Sequence, residues 1–406
     1  MLTLVNLAVR NLLRNRSRAA FTIGAIGFGV LMTLLLGSFI HGLGNVIIDD
    51  LIKGRVGALQ VHRKGYDDVR ENQPLDLDMP QDGDIRKKLM AMPGVTGVTP
   101  RLVFGGIANN GAQSSIVIAT AIDPQFEYKV MPWARKNMVG KALGADTPQG
   151  AVFGKDLAEA MQIKPGISAT IQAANKTGQQ NALDIDIVGT VDNGNPFESK
   201  RTLQIPLAYA QDLLGMQGRV TEFAVSIDSR EAIDTIAQRL RHQLGPGVEV
   251  QTWAQLRPQV ADIVRYQKVA LGVIGFIFLV IAVIGVVNTM LMSVLERTRE
   301  IGTMMAVGLR RGKITVLFLL EGLALAVIGG AAGAGLAAVI VMIVQSFGGI
   351  AATAPGATAV GYIIPIMPVE LVLPTIGAAT LGSLLAAVYP SWRAARLNPV
   401  DALRAV

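Results

Sequence analysis

Four long apolar stretches divide the chain into membrane-type and soluble-type segments. They cover residues 19–43, 268–295, 314–344 and 371–389. Each is long enough to cross a bilayer core of about 30 Å as a helix. The first is too long for the apolar core of a signal peptide, and no cleavage site of small residues follows it, so we expect a retained anchor. The pattern predicts four membrane spans.

The segment between spans one and two, residues 44–267, has soluble composition with mixed strand and helix patterns. Apolar and polar residues alternate over 167–171 and 183–187 on either side of a polar turn, which predicts a β-hairpin. Strand, helix and strand periods follow one another over 223–250, and a similar unit covers 58–98. Two such halves are expected to form one α/β subdomain. The predicted fold class is a membrane α-helical four-span bundle with an inserted α+β extracytoplasmic domain.

The composition supports a membrane protein and excludes several kinds of site. Of the 406 residues, 51% are hydrophobic and only 17% are charged, which is too apolar for an ordinary soluble protein of this size. The chain has no cysteine, so disulfides, thiolate metal ligands and a thiol nucleophile are excluded. The net charge of +7 arises largely beside the apolar stretches, which indicates membrane topology and not nucleic-acid binding.

Basic residues cluster at one end of each predicted span. They are Arg10, Arg14, Arg16 and Arg18 before span one; Arg297, Arg299, Arg310, Arg311 and Lys313 in the segment 296–313; and Arg393, Arg396 and Arg404 after span four. By contrast, residues 347–369 carry no charge. Because cytoplasmic flanks carry the excess of Lys and Arg, we expect both termini inside and residues 44–267 and 345–370 outside. The chain is thus expected to be a multi-pass protein of the bacterial inner membrane.

Two terminal segments complete the predicted organisation. In residues 1–18, apolar and polar side chains fall on opposite helical faces: Leu4, Ala8 and Leu12 against Asn6, Arg10 and Arg14. This pattern predicts an amphipathic helix on the cytoplasmic membrane surface or, alternatively, a cytoplasmic extension of span one. Residues 390–406 are expected to form a cytoplasmic tail.

The sequence presents no catalytic or metal-binding constellation. Three scattered histidines have no carboxylates at ligand spacing, and we expect structural or surface roles for them: His41, His62 and His242. Residues 150–155 and 308–313 come near a phosphate-binding loop, but Asp156 stands where Ser or Thr is needed and the second segment lacks the required order. We therefore expect ATP and Mg²⁺ to bind another polypeptide, with no cofactor and no metal in this chain.

Two motifs carry a family resemblance. Residues 288–308 read NTMLMSVLERTREIGTMMAVG, and residues 389–404 read YPSWRAARLNPVDALR. The first is similar to the signature of the FtsX-like, MacB-like permease superfamily of ABC transporters (type VII), which includes the lipoprotein-releasing permeases LolC and LolE. The second resembles the C-terminal motif of the family, and its first residues, YPSWRA, are most similar to the lipoprotein-releasing branch. The four-span layout extends the resemblance over essentially the whole chain.

The segment 296–313 is the candidate contact with a partner. Its residues can form a short helix with an apolar ridge that projects into the cytoplasm, where a partner protein can bind it. The resemblance implies that this is the coupling helix, which docks in a groove of the ATPase; the alternative is an ordinary loop with solvated charges. The glycines are expected to permit close approach and to end the helix. The candidate docking residues are Glu296, Arg297, Arg299, Glu300, Ile301, Gly302, Met304, Met305, Ala306 and Gly308.

Four residues inside the spans are candidates for membrane coupling or packing. Glu321 is a carboxylate at membrane depth, where it should face protein or water. A packing or coupling hydrogen bond is one interpretation, and a proton relay is the other. Gly329 and Gly333 form a small-xxx-small face for close helix crossing, within the chain or with a partner. Asn288 at the start of the signature is the fourth.

The resemblance implies a non-catalytic permease subunit with several partners. They are a cytoplasmic ABC ATPase dimer, a second permease subunit that is identical or homologous, membrane lipids, and a periplasmic carrier or adaptor protein. ATPase-driven mechanical motion is expected to extract or export an amphiphilic substrate, foremost a lipoprotein in transit from the inner membrane. The alternatives are peptide or drug efflux of the MacB type and FtsX-type signalling across the membrane to a cell-wall hydrolase.

One departure from the lipoprotein-releasing pattern concerns the predicted hairpin. LolC-like permeases carry an extended hook there that recruits a periplasmic chaperone. The turn at residues 175–181 is short and lacks a hook sequence. The chain could therefore be a LolE-like partner, the single permease of a homodimer or a member of another branch of the family.

Overall fold

The computed structural model describes Arg10, Arg14 and residues 16–193, 195–352 and 361–398. Most of the predicted surface helix over residues 1–18, and the end of the tail with Arg404, lie outside the described residues. The chain divides into two compact units. The helical unit comprises Met1–Gly44, Ile263–Ala351 and Tyr362–Val406; the sheet unit comprises Asn45–Asp262 and Ala352–Gly361.

The helices of the described residues are named in chain order. They are α1 (Arg16–Leu51), α2 (Asp84–Met90), α3 (Pro124–Val130), α4 (Lys155–Ala160), α5 (Pro196–Ser199), α6 (Leu207–Leu214), α7 (Ile233–Leu244), α8 (Trp253–Leu256), α9 (Pro258–Glu296), α10 (Thr298–Ala306), α11 (Arg311–Ser346) and α12 (Val369–Ala395). A π-helical turn occupies Ile52–Val56, and a 3₁₀ helix occupies Asp67–Asn72.

The strands are named in the same way. They are β1 (Leu59–Arg63), β2 (Met79–Pro80), β3 (Val95–Asn109), β4 (Ser114–Ile122), β5 (Met138–Gly140), β6 (Gly150–Gly154), β7 (Ser168–Ala174), β8 (Gln180–Val191), β9 (Thr202–Pro206), β10 (Arg219–Val220), β11 (Glu222–Ile227), β12 (Val248–Thr252), β13 (Ile350–Ala352) and β14 (Gly361–Ile363). The last two pair with each other inside the segment predicted as a plain loop between spans three and four.

Four helices, α1, α9, α11 and α12, are long and apolar enough to cross a membrane. The predicted four-span fold class is confirmed. With 36 and 39 residues, α1 and α9 exceed the roughly 20 residues that a bilayer requires. They extend past the apolar stretches because no proline interrupts them, and Pro258 stands at the first position of α9, where its missing N–H is tolerated. Hydropathy marks the apolar part of such a helix and not its ends.

Small residues bring α1 and α11 into close contact. A Cβ at Gly329 would lie 3.0 Å from the backbone oxygen of Ile23, and a Cβ at Gly333 would overlap the backbone of Gly27. Only glycine permits backbones to approach this closely. Of the two alternatives for Gly329 and Gly333, the structure shows the contact within the chain.

The helix of span four ends later than the apolar stretch indicated. Predicted to end at residue 389, α12 continues to Ala395 through Pro390. Its last turns bury small side chains, because Ser391, Ala394 and Ala395 are all covered. The start of the predicted tail is thus helical and packed.

The sheet unit contains the two predicted strand-helix-strand halves. Strands β12, β1, β11 and β3 lie side by side in that order, and each neighbouring pair is antiparallel. The first half supplies β1, α2 and β3, and the second supplies β11, α7 and β12. Because the halves interleave, neither forms this part of the sheet alone. The sheet continues through β4, β9, β6, β8 and β5.

The predicted β-hairpin is present as β7 and β8, which pair antiparallel from Ser168 opposite Asp186 to Ala174 opposite Gln180. Its turn is tied down by an ion pair, since Lys176 Nζ lies 3.2 Å from Asp78 Oδ2. The Asp78 side chain also pairs with Arg219 at 2.5 Å and is buried. The turn is therefore fastened to the body of the sheet unit.

A buried charge network crosses one face of the sheet. His62 on β1, Glu222 on β11 and Arg101 on β3 occupy successive cross-strand positions, and Glu127 of α3 pairs with Arg101. His62 Nε2 lies 3.3 Å from Glu222 Oε2, and Arg101 Nη1 lies 3.5 Å from Glu222 Oε1. The carboxylate beside His62 has no signal at short spacing in the sequence, because Glu222 lies on a strand that is 160 residues away in the chain.

The network keeps the Glu222 carboxylate charged. Burial alone would raise its pKa, but the hydrogen bond from His62 and the charges of His62, Arg101 and Arg70 outweigh burial and lower the pKa to about 2. In the described residues, no group of three or more His, Cys, Asp and Glu side chains could hold a metal ion. The network lies within the sheet unit.

Candidate functional site

The predicted coupling segment forms a separate short helix, α10, between two membrane helices. The chain leaves the helical conformation at Arg297, with φ −99° and ψ 13°, and α10 starts at Thr298. Gly308 adopts φ +97°, a left-handed conformation that ends a helix with little strain in glycine. An extended residue, Arg310, then caps the start of α11. The nine residues of α10 are thus separated from α9 by Arg297 and from α11 by residues 307–310.

The apolar face of α10 packs inward. Ile301 is fully buried in a cluster with Val294, Ile314, Phe318 and Ala394, which come from the ends of α9, α11 and α12. The two methionines of the predicted ridge, Met304 and Met305, are partly buried against the same cluster. Of the predicted ridge, Ile301 is thus covered by the chain itself, whereas the docking role of Met304 and Met305 stays a prediction. Burial of an Ile side chain contributes about 2 kcal/mol relative to exposure, and three helix ends provide the apolar surface for it.

The opposite face of α10 is open. Arg299, Thr303 and Ala306 are exposed and follow one another at spacings of four and three residues. Val307, just after the helix, has 85% of its surface exposed, and Gly308 is exposed as well. Arg299, Ala306 and Gly308 were among the candidate docking residues, whereas Thr303 and Val307 were not. Periodicity could have grouped them, but it could not say which face the helix ends cover.

A buried ion pair fixes the base of α10. Arg297 Nη1 lies 3.0 Å from Glu321 Oε1 and 3.3 Å from Oε2, and both side chains are buried. Arg297 Nε donates to Glu300 Oε2 at 3.2 Å, and the guanidinium carbon lies 5.7 Å from the centre of the Phe318 ring. An unpaired carboxylate at this depth would be costly. Glu321 has the hydrogen-bond partner that the packing alternative requires, and Arg297 is an internal residue.

Two exposed ion pairs surround this buried pair. Arg14, just before α1, pairs with Glu300, and Arg18 of α1 pairs with Glu296, so these two arginines lie on both sides of the break at Arg297. Burial tends to raise the pKa of Glu300, but hydrogen bonds from Arg14 and Arg297 outweigh it and lower that pKa. Exposed pairs contribute little stability individually. Glu296 and Glu300, which were candidate docking residues, have ion-pair partners within the chain.

The fourth intramembrane candidate, Asn288, lies on an exposed face of α9. Exposed side chains recur along this helix at spacings of three or four residues, which places them on one stripe. They are Val273, Ile277, Ile281, Ile284, Asn288, Met292 and Leu295. Within the described residues, the Asn288 amide has no hydrogen-bond partner. We name this set the α9 stripe.

The helical unit also contains an apolar groove between α1, α9 and α12. Its volume is about 440 Å³, and its lining includes Val30, Phe278, Leu279 and Pro374. Lys268 is the one charged residue of the lining. Such a groove suits an apolar chain that carries an anionic group at one end.

Comparison with known families identifies the chain. Residues 272–399 match the family model of the FtsX-like permease C-terminal domain, and residues 19–243, more than half of the chain, match the MacB-like periplasmic core domain. The chain belongs to the FtsX-like, MacB-like ABC permease superfamily. Permeases of this superfamily are membrane subunits that work with an ATPase, and α10 of this permease lies inside the matched FtsX-like region.

Several curated relatives are named macrolide export ATP-binding/permease protein MacB. The protein from Neisseria gonorrhoeae strain ATCC 700825 / FA 1090 is 34% identical over 152 residues, which are 36% of this permease and 21% of the relative. The protein from Syntrophobacter fumaroxidans is 28% identical over 298 residues, 66% of this permease and 39% of the relative. The protein from Escherichia coli K12 is 32% identical over 219 residues, which are 51% of this permease and 31% of the relative. This permease thus spans well under half of the length of these relatives.

Among solved structures, the periplasmic region of MacB from Actinobacillus actinomycetemcomitans is 16% identical, with a TM-score of 0.33. It covers 50% of this permease and 92% of that chain. The family assignment rests on the two family models.

Proposed function

We propose that this chain is the permease subunit of an ATP-driven transporter of the bacterial inner membrane and that α10 docks on a separate ATPase. The observation that carries the proposal is the construction of α10, which has a base locked by Arg297 and Glu321 and an opposite face left open. A helix with these two properties can receive a displacement from a partner and pass it to α11. ATP and Mg²⁺ belong to the partner in this proposal.

The open face indicates the chemistry of the docking partner. Val307 offers one exposed aliphatic anchor, flanked by the small side chains of Thr303 and Ala306. Arg299 has no carboxylate partner within the described residues. A complementary surface would therefore combine a small apolar pocket for Val307 with an acidic rim for Arg299. This arrangement replaces the Met304 and Met305 ridge as the proposed contact.

A substitution on the open face tests the docking proposal. Val307→Asp places a carboxylate in the proposed apolar pocket, so we expect loss of co-purification with the ATPase by a factor of about 10 or more. The matched control is Val139→Asp, because Val139 is also strongly exposed but lies on strand β5 of the sheet unit. Protease resistance of the sheet unit checks folding in both variants. Normal assembly of the Val307 variant would show that α10 does not dock through this face.

We further propose a second permease subunit, identical or homologous, that packs on the α9 stripe. The membrane window of α9 is the most apolar of the four, and only 11% of it is buried, against 28–39% for the others. An amide such as that of Asn288 is costly in lipid unless it is hydrogen-bonded. A second copy across a twofold axis would bring a matching amide, which is both donor and acceptor.

The substrate is proposed to be amphiphilic. The groove beside Lys268 supports this class, since it combines an apolar lining with one cation. A lipoprotein is one candidate. Macrolide or peptide efflux is the other, and two observations favour it: the relatives are named for macrolide export, and the turn at Lys176 is fastened down where a LolC-like hook would project.

Purification of the native complex would separate these candidates. A periplasmic lipoprotein carrier bound to the permease would support lipoprotein release, and an adaptor protein of an efflux duct would support export. Recovery of a cell-wall hydrolase would instead support the signalling alternative. Recovery without any ATPase would contradict the permease proposal itself.

A further inference from the structure

One end of the helical unit carries a cluster of exposed basic side chains at the start of α11 and the end of α12. Its members are Arg310, Arg311, Lys313, Arg393 and Arg396, and we name it the basic end patch. The two helix ends are adjacent, because Ile314 and Ala394, the neighbours of Lys313 and Arg393 in the chain, lie in the same buried cluster.

The acidic residues of the helical unit do not neutralise this patch. Among the described residues of this unit, the carboxylates are those of Glu296, Glu300, Glu321 and Glu370. The first three pair with Arg18, Arg14 and Arg297. Glu370 lies in the first turn of α12, at the opposite end of that helix. Among the described residues of the helical unit, the patch is therefore a surface of uncompensated positive charge.

The patch continues an exposed stripe along α12. The stripe passes from aliphatic to aromatic to cationic side chains: Leu381, Leu385, Val388, Tyr389, Trp392 and Arg396. Trp392 has 48% of its surface exposed, and the Arg396 guanidinium carbon lies 4.1 Å from the centre of its ring. Aromatic side chains are enriched at the level of lipid headgroups, between the hydrocarbon and water. This order of side chains matches the order of an anionic lipid from its chain to its phosphate.

We propose that the basic end patch and Trp392 form a binding site for an anionic phospholipid. The acyl chain would follow the stripe from Leu381 to Tyr389, and the phosphate would lie among Lys313, Arg393 and Arg396. A soluble acidic partner would account for the cations but not for the apolar stripe that leads to them. The site goes beyond the proposed docking role of α10 and requires only that α11 and α12 lie in a membrane.

Trp392 provides a probe of this site. The chain has three tryptophans, and the other two, Trp133 and Trp253, belong to the sheet unit. The full chain would be reconstituted into phosphatidylcholine vesicles with the same fraction of brominated phosphatidylglycerol or brominated phosphatidylcholine. The difference in fluorescence between the natural chain and Trp392→Phe then reports bromines near Trp392. Because each basic residue at a membrane surface favours anionic lipid by about fivefold, we expect markedly stronger quenching by the brominated phosphatidylglycerol.

Neutralising variants decide whether the patch causes the preference. Lys313→Gln, Arg393→Gln and Arg396→Gln together should abolish the excess quenching. The control, with equal loss of charge on exposed side chains of the sheet unit, combines Lys87→Gln, Lys88→Gln and Arg239→Gln and should keep it. Equal quenching by the two brominated lipids in the natural chain would overturn the proposal, as would equal loss in both triple variants. Displacement of the excess by inorganic phosphate beyond that by sodium chloride of equal ionic strength would indicate a free-phosphate site and also overturn it.

Discussion

At the scale of single residues, Arg297 differs most between its predicted and observed roles. The signature motif places it among charged residues, so the sequence favours a solvated or docking side chain. In the structure its side chain is buried and bonded to Glu321, which is 24 residues away in the chain. From the sequence alone, Arg297 was a candidate docking residue and Glu321 was a candidate for membrane coupling or packing. Their partnership could not be predicted, because it depends on how α10 folds back against α11.

The buried pair predicts unequal effects of two neighbouring substitutions. Arg297→Met leaves the Glu321 carboxylate buried without its cation, so we expect a loss of about 3 kcal/mol in stability. Arg299→Met, the matched control on the open face, should leave stability within about 0.5 kcal/mol. Thermal unfolding of the purified permease in detergent measures both. An Arg297→Met protein as stable as the Arg299→Met protein would contradict the assignment of Arg297 to an internal ion pair.

Glu222 carries a pH prediction for the sheet unit. Its folded pKa is about 2, below the ordinary value of 4.5, so its contribution to stability is complete above about pH 4.5 and is lost as the pH falls towards 2. Since one pKa unit corresponds to about 1.4 kcal/mol, Glu222→Gln should cost roughly 3 kcal/mol at neutral pH. The variant should also show a flatter loss of stability between pH 4.5 and 2. Chemical denaturation at several pH values measures the free energy of unfolding of both proteins. If this interpretation were wrong, the two free energies would change with pH in parallel.

At the scale of elements, local periodicity was sufficient for some parts and insufficient for others. The hairpin of β7 and β8 and the strand-helix-strand units were predictable, because each is encoded by neighbouring residues with a period of two or 3.6. The inward face of α10 was not, because Ile301, Met304 and Met305 show an apolar face equally well in either orientation. Only the helix ends that supply Val294, Ile314 and Ala394 decide the direction.

The α9 stripe predicts a pattern of cross-links between two copies of the chain. Because the chain has no cysteine, single-cysteine variants report individual positions. Ile284→Cys, Asn288→Cys and Met292→Cys should form disulfide-linked dimers in membranes under mild oxidation. Leu385→Cys, at a still more exposed position on α12, should not. Dimers of the Leu385 variant alone would place the interface elsewhere, and a second, homologous permease would give cross-links only when both chains carry a cysteine.

At the scale of the whole molecule, the four-span class and the inserted domain followed from hydropathy because both depend on long stretches of composition. The buried network of His62, Arg101, Glu127 and Glu222 did not follow. His62 and Arg101 come from one half of the subdomain, Glu222 comes from the other, and Glu127 comes from α3 in the insertion between them. The first three join only when β11 lies between β1 and β3. Contacts between such distant residues leave no local period to detect.

The distribution of charge also predicts how the whole chain is oriented in the membrane. The segment 296–313, which is assigned to the cytoplasm, holds five basic residues, whereas residues 347–369 hold no charge. The positive-inside rule then places Arg310 inside and the β7–β8 turn outside. Thr177→Cys should therefore react with a membrane-impermeant thiol reagent in intact spheroplasts, and Arg310→Cys should react only after permeabilisation. Thr177 and Arg310 are both exposed, so both variants should react in detergent. Labelling of Arg310→Cys in intact spheroplasts, without labelling of Thr177→Cys, would show that the topology is the inverse of the one predicted. In that case α10 would face away from any cytoplasmic ATPase, and the docking proposal would fail with the orientation.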